Sequence, residues 1–490
     1  MRHLWCACLL AVLSSAGVAY SNPAGSAHKN ISANLPVTTS SATARRRFEK
    51  AMQNLEYLRT ADALNELRAA TKADPKFAQA LMLLSHLTRD PEEQEATRLR
   101  AKQLAGRVRP AERLLIRWLA GVQEDNYMPA IAAMNDLLTE YPRDQRLAFL
   151  AGGWLVRKER YAQAIMVLER AVTLNPDYPA ALNELGYAYA FSGDFEKGFA
   201  AMDRYVALQP DQPNPHDSYG EILRLAGKFD AALEQYRISI KIDPNFGSEL
   251  GVADTYAVMG KEEDARDEYA RAIVFAPGES EKVEYELQSA ATWIRDNNRK
   301  QAEHALREVA KHAHHAGLAV LEAEAQRSLA LYEPDYKAAI KHLDAAYQAL
   351  QEHRGTSRSD LDEEMARLLR VRATRAAEAQ ATEPAQDAVK KLETMAQNSR
   401  SQIVQLSYHA AAGAVLAAQG KYAEAIPHLE EDSSDPLSMR LLWQAYGHTG
   451  TTAQADSLGG KLAVLNVPTI EQALVVPQFR ASLVGQDRQP

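Results

Sequence analysis

The sequence predicts an all-α array of antiparallel helix pairs, and three observations carry that prediction. The stretch GDFEKGFAAMDRYVALQP, which ends at Pro210, returns thirty-four residues later as GKFDAALEQYRISIKIDP. From Arg45 onward, apolar residues lie three and four apart, with almost none of the alternation that is typical of strands. Prolines recur at the same thirty-four-residue interval. A stack of two-helix units with that period explains all three observations.

Four columns of residues keep the interval and explain why each unit forms. They are the aromatics Tyr127, Tyr161, Phe195 and Phe229, the small residues Ala130, Ala164, Gly198 and Ala232, the prolines Pro142, Pro176, Pro210 and Pro244, and the glycines Gly152, Gly186 and Gly220. Small residues allow the two helices of a pair to cross closely. Gly193 and Gly227 fall where a left-handed residue would end the first helix. Each proline stops the second helix.

These columns resemble the tetratricopeptide repeat (TPR), a helix pair of that period. The resemblance implies a right-handed superhelical solenoid whose first helices line a concave groove for a partner protein or peptide. The match is good over 111–279 and degenerate over 45–110 and 280–466. Residues 467–490 form a tail that we expect to cover the open end of the last pair, and a short docking motif for another protein is the alternative. About ten pairs would fill the chain from Arg45 and leave no room for a catalytic domain.

The groove positions of the family can be carried onto this chain residue by residue. They fall on Phe149, Val156, Asn183, Tyr187, Phe191, Asp217, Glu221, Arg224 and Asp254. An aromatic patch thus stands beside a mostly acidic one, and Phe149 and Gly153 replace the lysine and asparagine of chaperone-binding members. We therefore expect an apolar and basic partner segment. The alternative is that Tyr187 and Phe191 pack against the neighbouring repeat.

The N-terminus has the layout of a secretory signal peptide. MRHLWCACLLAVLSSAGVAYS has a basic start, an apolar run and then small residues, which predicts a signal peptide over 1–21. The apolar run is short for the alternative, a membrane anchor. Residues 22–44 are rich in Ser, Ala, Thr, Asn and Pro, which is typical of a flexible linker. We expect an exported protein, periplasmic or secreted, with no stable membrane span after cleavage.

Composition narrows the function classes. The chain has 490 residues, 46% hydrophobic and 24% charged, with a net charge of -8 and a pI near 6.0. This balance is typical of a folded protein and disfavours nucleic acid as a partner. Both cysteines, Cys6 and Cys8, lie in the predicted signal peptide. No phosphate-binding glycine loop, Gly-x-Ser-x-Gly elbow or paired-cysteine motif is present, so we expect neither a cofactor nor an enzyme.

One stretch invites the alternative of a metal-dependent hydrolase. In AEHALREVAKHAHHAGLA, His304, Glu308 and His312 are four apart and His315 follows three residues later. One helical face would present these side chains to a metal. The spacing lacks His-Glu-x-x-His, and histidines at a helix C-terminus are favoured by the helix dipole, so we expect no metal.

A further alternative for the function of the protein is a structural subunit of an envelope or export assembly.

A second charged stretch, LDEEMARLLRVRATRAAEAQ over 361–380, alternates sign at helical spacing. This pattern is typical of a salt-bridged, exposed helix face, and that is the prediction. A partner surface is the alternative.

Overall fold

The structure, a computed structural model, describes residues 34–486 except Arg89, Asp125, 353–357 and Arg400. The described residues fall into two compact units, which meet in sequence between Asp211 and Gln212. We call them the N-terminal unit (34–211) and the C-terminal unit (212–486). The predicted signal peptide lies outside the described residues. Within the described part of the chain, no helix is both long and apolar enough to span a membrane.

The N-terminal unit contains ten α-helices and a short 3-10 turn at Ala105–Arg107. The helices are α1 (Ala42–Glu56), α2 (Thr60–Ala73), α3 (Ala78–Leu87), α4 (Pro91–Leu104), α5 (Pro110–Gln123), α6 (Tyr127–Glu140), α7 (Gln145–Arg157), α8 (Tyr161–Leu174), α9 (Pro179–Ser192) and α10 (Phe195–Leu208).

The C-terminal unit contains fifteen α-helices among its described residues. They are α11 (Pro213–Leu225), α12 (Phe229–Ile242), α13 (Glu249–Met259), α14 (Glu262–Val274), α15 (Glu279–Arg295), α16 (Arg299–His315), α17 (Ala319–Tyr332), α18 (Tyr336–Gln351), α19 (Arg358–Glu378), α20 (Thr382–Asn398), α21 (Gln402–Ala418), α22 (Tyr422–Glu431), α23 (Pro436–Thr449), α24 (Thr452–Ala463) and α25 (Ile470–Gln486).

Consecutive helices pack in twos, from α1 with α2 to α23 with α24. The connection within each pair of helices is short, so each pair forms an antiparallel hairpin. The described residues thus form twelve pairs and a final helix, where the sequence predicts about ten pairs. First helices of neighbouring pairs also contact each other, for example α7 with α9 and α15 with α17. We call the surface that the first helices form in each unit its inner face. The fold is an all-α, TPR-like solenoid.

The repeat columns fall where their chemistry predicts. The second helices α6, α8, α10 and α12 each begin at the aromatic of their repeat. Gly193 and Gly227 have φ angles of +90° and +76°, in the left-handed region that a side chain disfavours. A Cβ added to Gly220 would lie 2.9 Å from the Tyr236 ring, and one added to Gly152 would lie 2.4 Å from Leu168 Cγ. Glycine is therefore required where these helices cross.

The end of the predicted linker is anchored to the N-terminal unit. We call residues 34–41 the N-terminal segment. The amide of Leu35 donates to Asp144 Oδ2 at 2.6 Å, and the amide of Thr38 donates to Glu112 Oε1 at 2.8 Å. Helix α1 then begins at Ala42, three residues before the predicted start, because the Ser41 hydroxyl caps it. Composition did not reveal these contacts, since their acceptors lie far along the chain.

The C-terminal tail is helical and does more than cover the last pair. We call residues 464–486 the C-terminal segment; α25 makes up most of it. As expected, α25 packs against α23 and α24, but it also packs against α15, near the middle of the unit. The segment therefore lies against the inner face of the C-terminal unit.

Candidate functional site

The predicted groove residues of the N-terminal unit lie on two neighbouring first helices, α7 and α9. Phe149 is half-buried, and its ring lies 5.3 Å from the Tyr178 ring, whereas Val156 is fully buried at 0% exposure. Val156 therefore has no surface to offer a partner in this conformation. Asn183 is also buried, with 9% exposure.

Tyr187 and Phe191 stack on each other, and Phe191 also stacks on the neighbouring repeat. Their ring centroids are 6.0 Å apart, and the Phe191 ring lies 5.5 Å from the ring of Tyr161, the first residue of α8. The packing that the alternative predicts is thus present for Phe191. Both side chains are only half-buried, however, so each keeps part of its surface exposed. Their role in partner binding stays a prediction.

Besides the buried indole nitrogens of Trp118 and Trp154, three inner-face side chains of the N-terminal unit carry buried amide or imidazole atoms without a hydrogen-bond partner among the described residues. They are Gln79 Oε1 and His86 Nδ1 on α3 and Asn183 Oδ1 on α9. Buried polar atoms are usually paired, because leaving one unpaired costs about 1–3 kcal/mol. The two amide oxygens can accept hydrogen bonds from a bound group. His86 Nδ1 can either accept or donate one.

Sequence reasoning missed Gln79 and His86. His86 follows Pro75 by eleven residues, the same offset by which Tyr187 follows Pro176 and Glu221 follows Pro210. That offset would have placed His86 on the groove. The degenerate repeat columns over 45–110 obscure that offset in the sequence.

The electrostatics around these residues are set by burial. Desolvation, helped by the positive charge of Arg157, lowers the pKa of His86 to about 4, so the imidazole is neutral at pH 7. Desolvation also raises the pKa of the Glu184 carboxyl on α9, and Arg157 opposes that shift. A Cβ added to Gly153 would lie 3.4 Å from Arg157 Nη1 and 3.6 Å from Glu184 Oε1. Gly153 therefore leaves room beside a desolvated carboxyl.

A cavity of about 240 Å³ lies beside the N-terminal segment. Helices α1, α3, α5 and α7 line it with apolar side chains, among them Phe48, Leu83 and Leu115. Gln79, which carries one of the unpaired oxygens, also lines it. Arg146 at its edge is held by ion pairs to Glu49 and Glu56 of α1. This part of the inner face is thus largely covered by the unit's own N-terminus.

The predicted groove residues of the C-terminal unit are engaged by the chain itself. Asp217 accepts a hydrogen bond from Ser248 Oγ at 2.7 Å. Asp254 accepts one from the Tyr269 hydroxyl at 2.7 Å, and burial raises its pKa to about 6. These internal partners occupy the carboxylates from which an acidic groove was predicted.

Arg224, the predicted basic groove residue, binds the C-terminal segment. It is 4% exposed, and its Nη1 donates to the backbone carbonyl of Asn466 at 2.8 Å. Its Nη2 also lies 3.7 Å from the half-buried carboxylate of Glu221. Any partner at this position must therefore replace a contact that the chain makes with itself.

The prediction of an exposed charged face over 361–380 is wrong. Glu364 is 1% exposed and pairs with the buried Arg327 at 2.7 Å. Arg370 pairs with Asp435 at 2.6 Å and with Asp432 at 3.0 Å. Charges at helical spacing look the same in sequence whether they face water or opposite charges on other helices. Here α19 is a first helix and packs against both α17 and α21, so its charges are covered.

The face of α16 that carries His304, Glu308, His312 and His315 does not group them as metal ligands. His304 and His315 are exposed, and Glu308 lies 3.8 Å from Lys311. His312 Nδ1 lies 2.8 Å from Glu286 and its Nε2 lies 3.0 Å from Glu279; these bonds raise the pKa of the imidazole. Among the described residues, no three His, Cys, Asp or Glu side chains are grouped to hold an ion. No observation favours the hydrolase alternative.

Comparisons with known proteins identify one repeat directly. Residues 155–193, from the end of α7 through α9, match the family model of the TPR repeat. A search of curated proteins finds no match to the chain.

Solved structures resemble the chain only distantly. A TPR protein from Parabacteroides merdae is 12% identical, with a TM-score of 0.36 over 55% of this chain and 93% of that chain. A TPR protein from Thermus thermophilus is 20% identical, with a TM-score of 0.28 over 47% and 99%. MamA from Desulfovibrio magneticus is 18% identical, with a TM-score of 0.25 over 42% and 99%. We draw no argument from likenesses this distant.

The helix pairs, the repeat columns and the matched repeat define the class of this protein as a TPR-like helical-repeat protein. Proteins with such repeats are generally scaffolds that bind other proteins rather than enzymes. The chain is therefore an all-α TPR-like solenoid, with a tetratricopeptide repeat at 155–193, whose fold indicates a protein–protein interaction scaffold.

Proposed function

We propose that the protein is an exported scaffold that binds a segment of a partner protein on the inner face of its N-terminal unit. The observation that carries the proposal is the set of unpaired buried polar atoms on Gln79, His86 and Asn183. A peptide backbone would supply N–H donors for the two amide oxygens, which are buried in this conformation and become accessible only if the inner face opens locally. Such a partner would offset the cost of leaving those atoms without hydrogen bonds.

The partner segment that we propose is apolar and basic. The half-buried rings of Phe149, Tyr187 and Phe191 favour apolar side chains. The desolvated carboxyl of Glu184, whose pKa burial raises, favours a lysine or arginine. A cation brought beside that carboxyl would lower its pKa and bind more tightly as the carboxyl ionises. In the C-terminal unit, Asp217, Glu221, Arg224 and Asp254 would contribute to a groove only if their internal contacts open.

Two variants test the groove. Asn183→Leu removes the unpaired oxygen at similar side-chain volume, and Tyr187→Ala with Phe191→Ala removes the aromatic pair. Immobilised mature protein would be exposed to the exported fraction, and the retained proteins would be identified by mass spectrometry. We expect a protein that the wild type retains to be lost from both variants. Asn135→Leu, on the exposed side of the second helix α6, is the matched control and should retain it.

The outcome that contradicts the proposal is equal retention by the wild type and the Asn183 variant. If the double alanine variant loses its melting transition instead, Tyr187 and Phe191 are core residues. Their assignment to the groove would then be withdrawn.

Export is the second part of the proposal, and its support is the signal-like composition of residues 1–21. We expect the mature N-terminus to begin between Tyr20 and Ala24, and a C-terminally tagged chain to leave the cytoplasm. N-terminal sequencing of the purified protein checks this. A mature chain that starts at Met1 would remove export from the proposal.

A further inference from the structure

Three arginines on the inner face of the C-terminal unit bind the C-terminal segment. They belong to three first helices: Arg224 to α11, Arg295 to α15 and Arg327 to α17. Arg224 donates to the Asn466 carbonyl at 2.8 Å, as described above. Arg295 and Arg327 contact residues further along the segment. The inner face thus already recognises one stretch of polypeptide through a row of guanidinium groups.

Arg295 and Arg327 bind the start of α25. Arg295 Nη2 donates to Gln472 Oε1 at 2.8 Å and to the Thr469 carbonyl at 3.3 Å, and its Nε also donates to Gln472 Oε1, at 3.1 Å. Arg327 Nη1 lies 3.4 Å from the Glu471 carboxylate. The acceptors are therefore two backbone carbonyls, one amide and one carboxylate.

The other side of the segment is apolar. Ile470 and Ala473 are buried in a cluster with residues of α15, α16 and α17. Val476 and Phe479 are buried against α23 and α24, where the Phe479 ring lies 5.1 Å from the Trp443 ring. The inner face thus accepts an amphipathic helix that presents oxygen acceptors along one edge.

The resident segment does not satisfy Arg295. The guanidinium meets the amide of Gln472 and not a carboxylate, and its buried Nη1 has no hydrogen-bond partner in the described part of the chain. Burial lowers the pKa of Arg295, and Glu262 and Asp254, which act on it electrostatically, only partly oppose that shift. A buried guanidinium binds a carboxylate better than an amide, because the bond is charge-assisted and can be bidentate. The segment is therefore an imperfect ligand at this position.

We propose that the inner face of the C-terminal unit is a binding surface for an amphipathic helix of a partner protein that carries a carboxylate opposite Arg295. The C-terminal segment is its resident occupant and must leave when that partner binds. This surface is distinct from the groove of the proposed function, which lies in the N-terminal unit. The two proposals therefore succeed or fail separately.

The first experiment asks whether the segment can leave. A protease recognition sequence is inserted after Val464, which is 65% exposed, and the purified full chain is cut there. A fluorescent synthetic peptide of residues 464–486 is then added, and its uptake is followed by fluorescence anisotropy. We expect the cut chain to stay folded and to exchange its own segment for the peptide. No exchange within a day, or unfolding of the cut chain, would show that the segment is a fixed part of the core and would overturn the proposal.

The second experiment asks what the surface selects. Unlabelled peptides with Gln472 or with Gln472→Glu compete for the cut chain. The glutamate gives up a weak bond from Gln472 Nε2 to the Leu465 carbonyl at 3.3 Å, but it gains a charge-assisted pair with Arg295. We expect the Glu peptide to compete about tenfold better. In a chain with Arg295→Gln that advantage should vanish. Equal competition by the two peptides on the wild-type chain would contradict the proposed partner chemistry.

Discussion

The two units build their inner faces from the same kind of helix pair but leave different groups on them. On the first helices of the N-terminal unit, the buried polar atoms that lack partners among the described residues are neutral and belong to the side chains of Gln79, His86, Trp118, Trp154 and Asn183. The first helices of the C-terminal unit carry one such neutral atom, Gln288 Oε1, but they also carry buried guanidinium ions, and each of these binds the C-terminal segment or a carboxylate. Arg224 and Arg327 illustrate the two cases.

The difference follows from the cost of burial. An unpaired neutral polar group costs about 1–3 kcal/mol, which a folded unit can tolerate. An unpaired buried charge costs several kcal/mol, so an arginine-lined face needs an occupant at all times. A face can therefore leave neutral groups unpaired until a partner binds, even where the unit's own N-terminus covers part of it, whereas buried charges need a bound group in the free protein. The predictions below test this contrast, beginning with the largest expected effect.

Arg327→Met should destabilise the C-terminal unit by about 3–5 kcal/mol, because it leaves the buried carboxylate of Glu364 without its closest cation. Urea unfolding of the full chain, followed by hydrogen exchange of α17 and α19, measures the loss. The control is Arg372→Met, since its partner Asp344 is 62% exposed and such a pair contributes about 0–1 kcal/mol. Equal effects of the two variants would mean that burial does not set the cost.

Gly152→Leu should destabilise the N-terminal unit by about 1–3 kcal/mol through overpacking. The added Cβ would lie 2.4 Å from the Cγ atom of Leu168, a fully buried residue. Hydrogen exchange should show loss of protection in α7 and α8 first, because stability in an array depends on neighbours. Gly447→Ala, where an added Cβ meets nothing within 4 Å, should not destabilise. Unchanged protection in α7 would contradict the close crossing.

The pH dependence of stability should carry the signature of the buried carboxyls in the C-terminal unit. Burial raises the pKa of Asp432 from 3.8 to about 7. The folded state then holds the proton more tightly than the unfolded state, so this group's contribution to stability falls as pH rises from 3.8 to about 7. Urea unfolding between those pH values measures the slope, and Asp432→Asn should flatten it. An unchanged slope would mean that Asp432 is ionised throughout.

Local features of the fold could be predicted from the sequence. The first residue of α8 is Tyr161 and that of α10 is Phe195, as the aromatic column indicates. The left-handed turns at Gly193 and Gly227 were also predictable. Each of these features depends on residues within one repeat, where a thirty-four-residue pattern carries the information.

Long-range features could not be predicted. Arg295 meets Gln472 across 177 residues, and Arg224 meets Asn466 across 242. No periodicity links such positions, so the sequence places the tail only on the last pair and Arg224 only in the groove, and it gives no role to Arg295. The groove positions of the family gave the places of the inner-face residues but not whether an internal contact already occupied them.

The smallest expected change in stability, that of Asn183→Leu, tests most directly whether the buried oxygen on the inner face of the N-terminal unit lacks a partner. Asn183→Leu should change the free energy of unfolding by less than about 1 kcal/mol, or raise it slightly, because a leucine of similar volume replaces an oxygen that already lacks a partner. Ser438→Ala in the C-terminal unit removes a hydroxyl that donates to Asp432 at 2.6 Å and should cost about 1–3 kcal/mol. Urea unfolding of the two variants measures the difference. A large loss of stability in the Asn183 variant would show that the Asn183 side-chain oxygen is paired in solution. The inner faces of the two units would then not differ in the pairing of their buried polar groups.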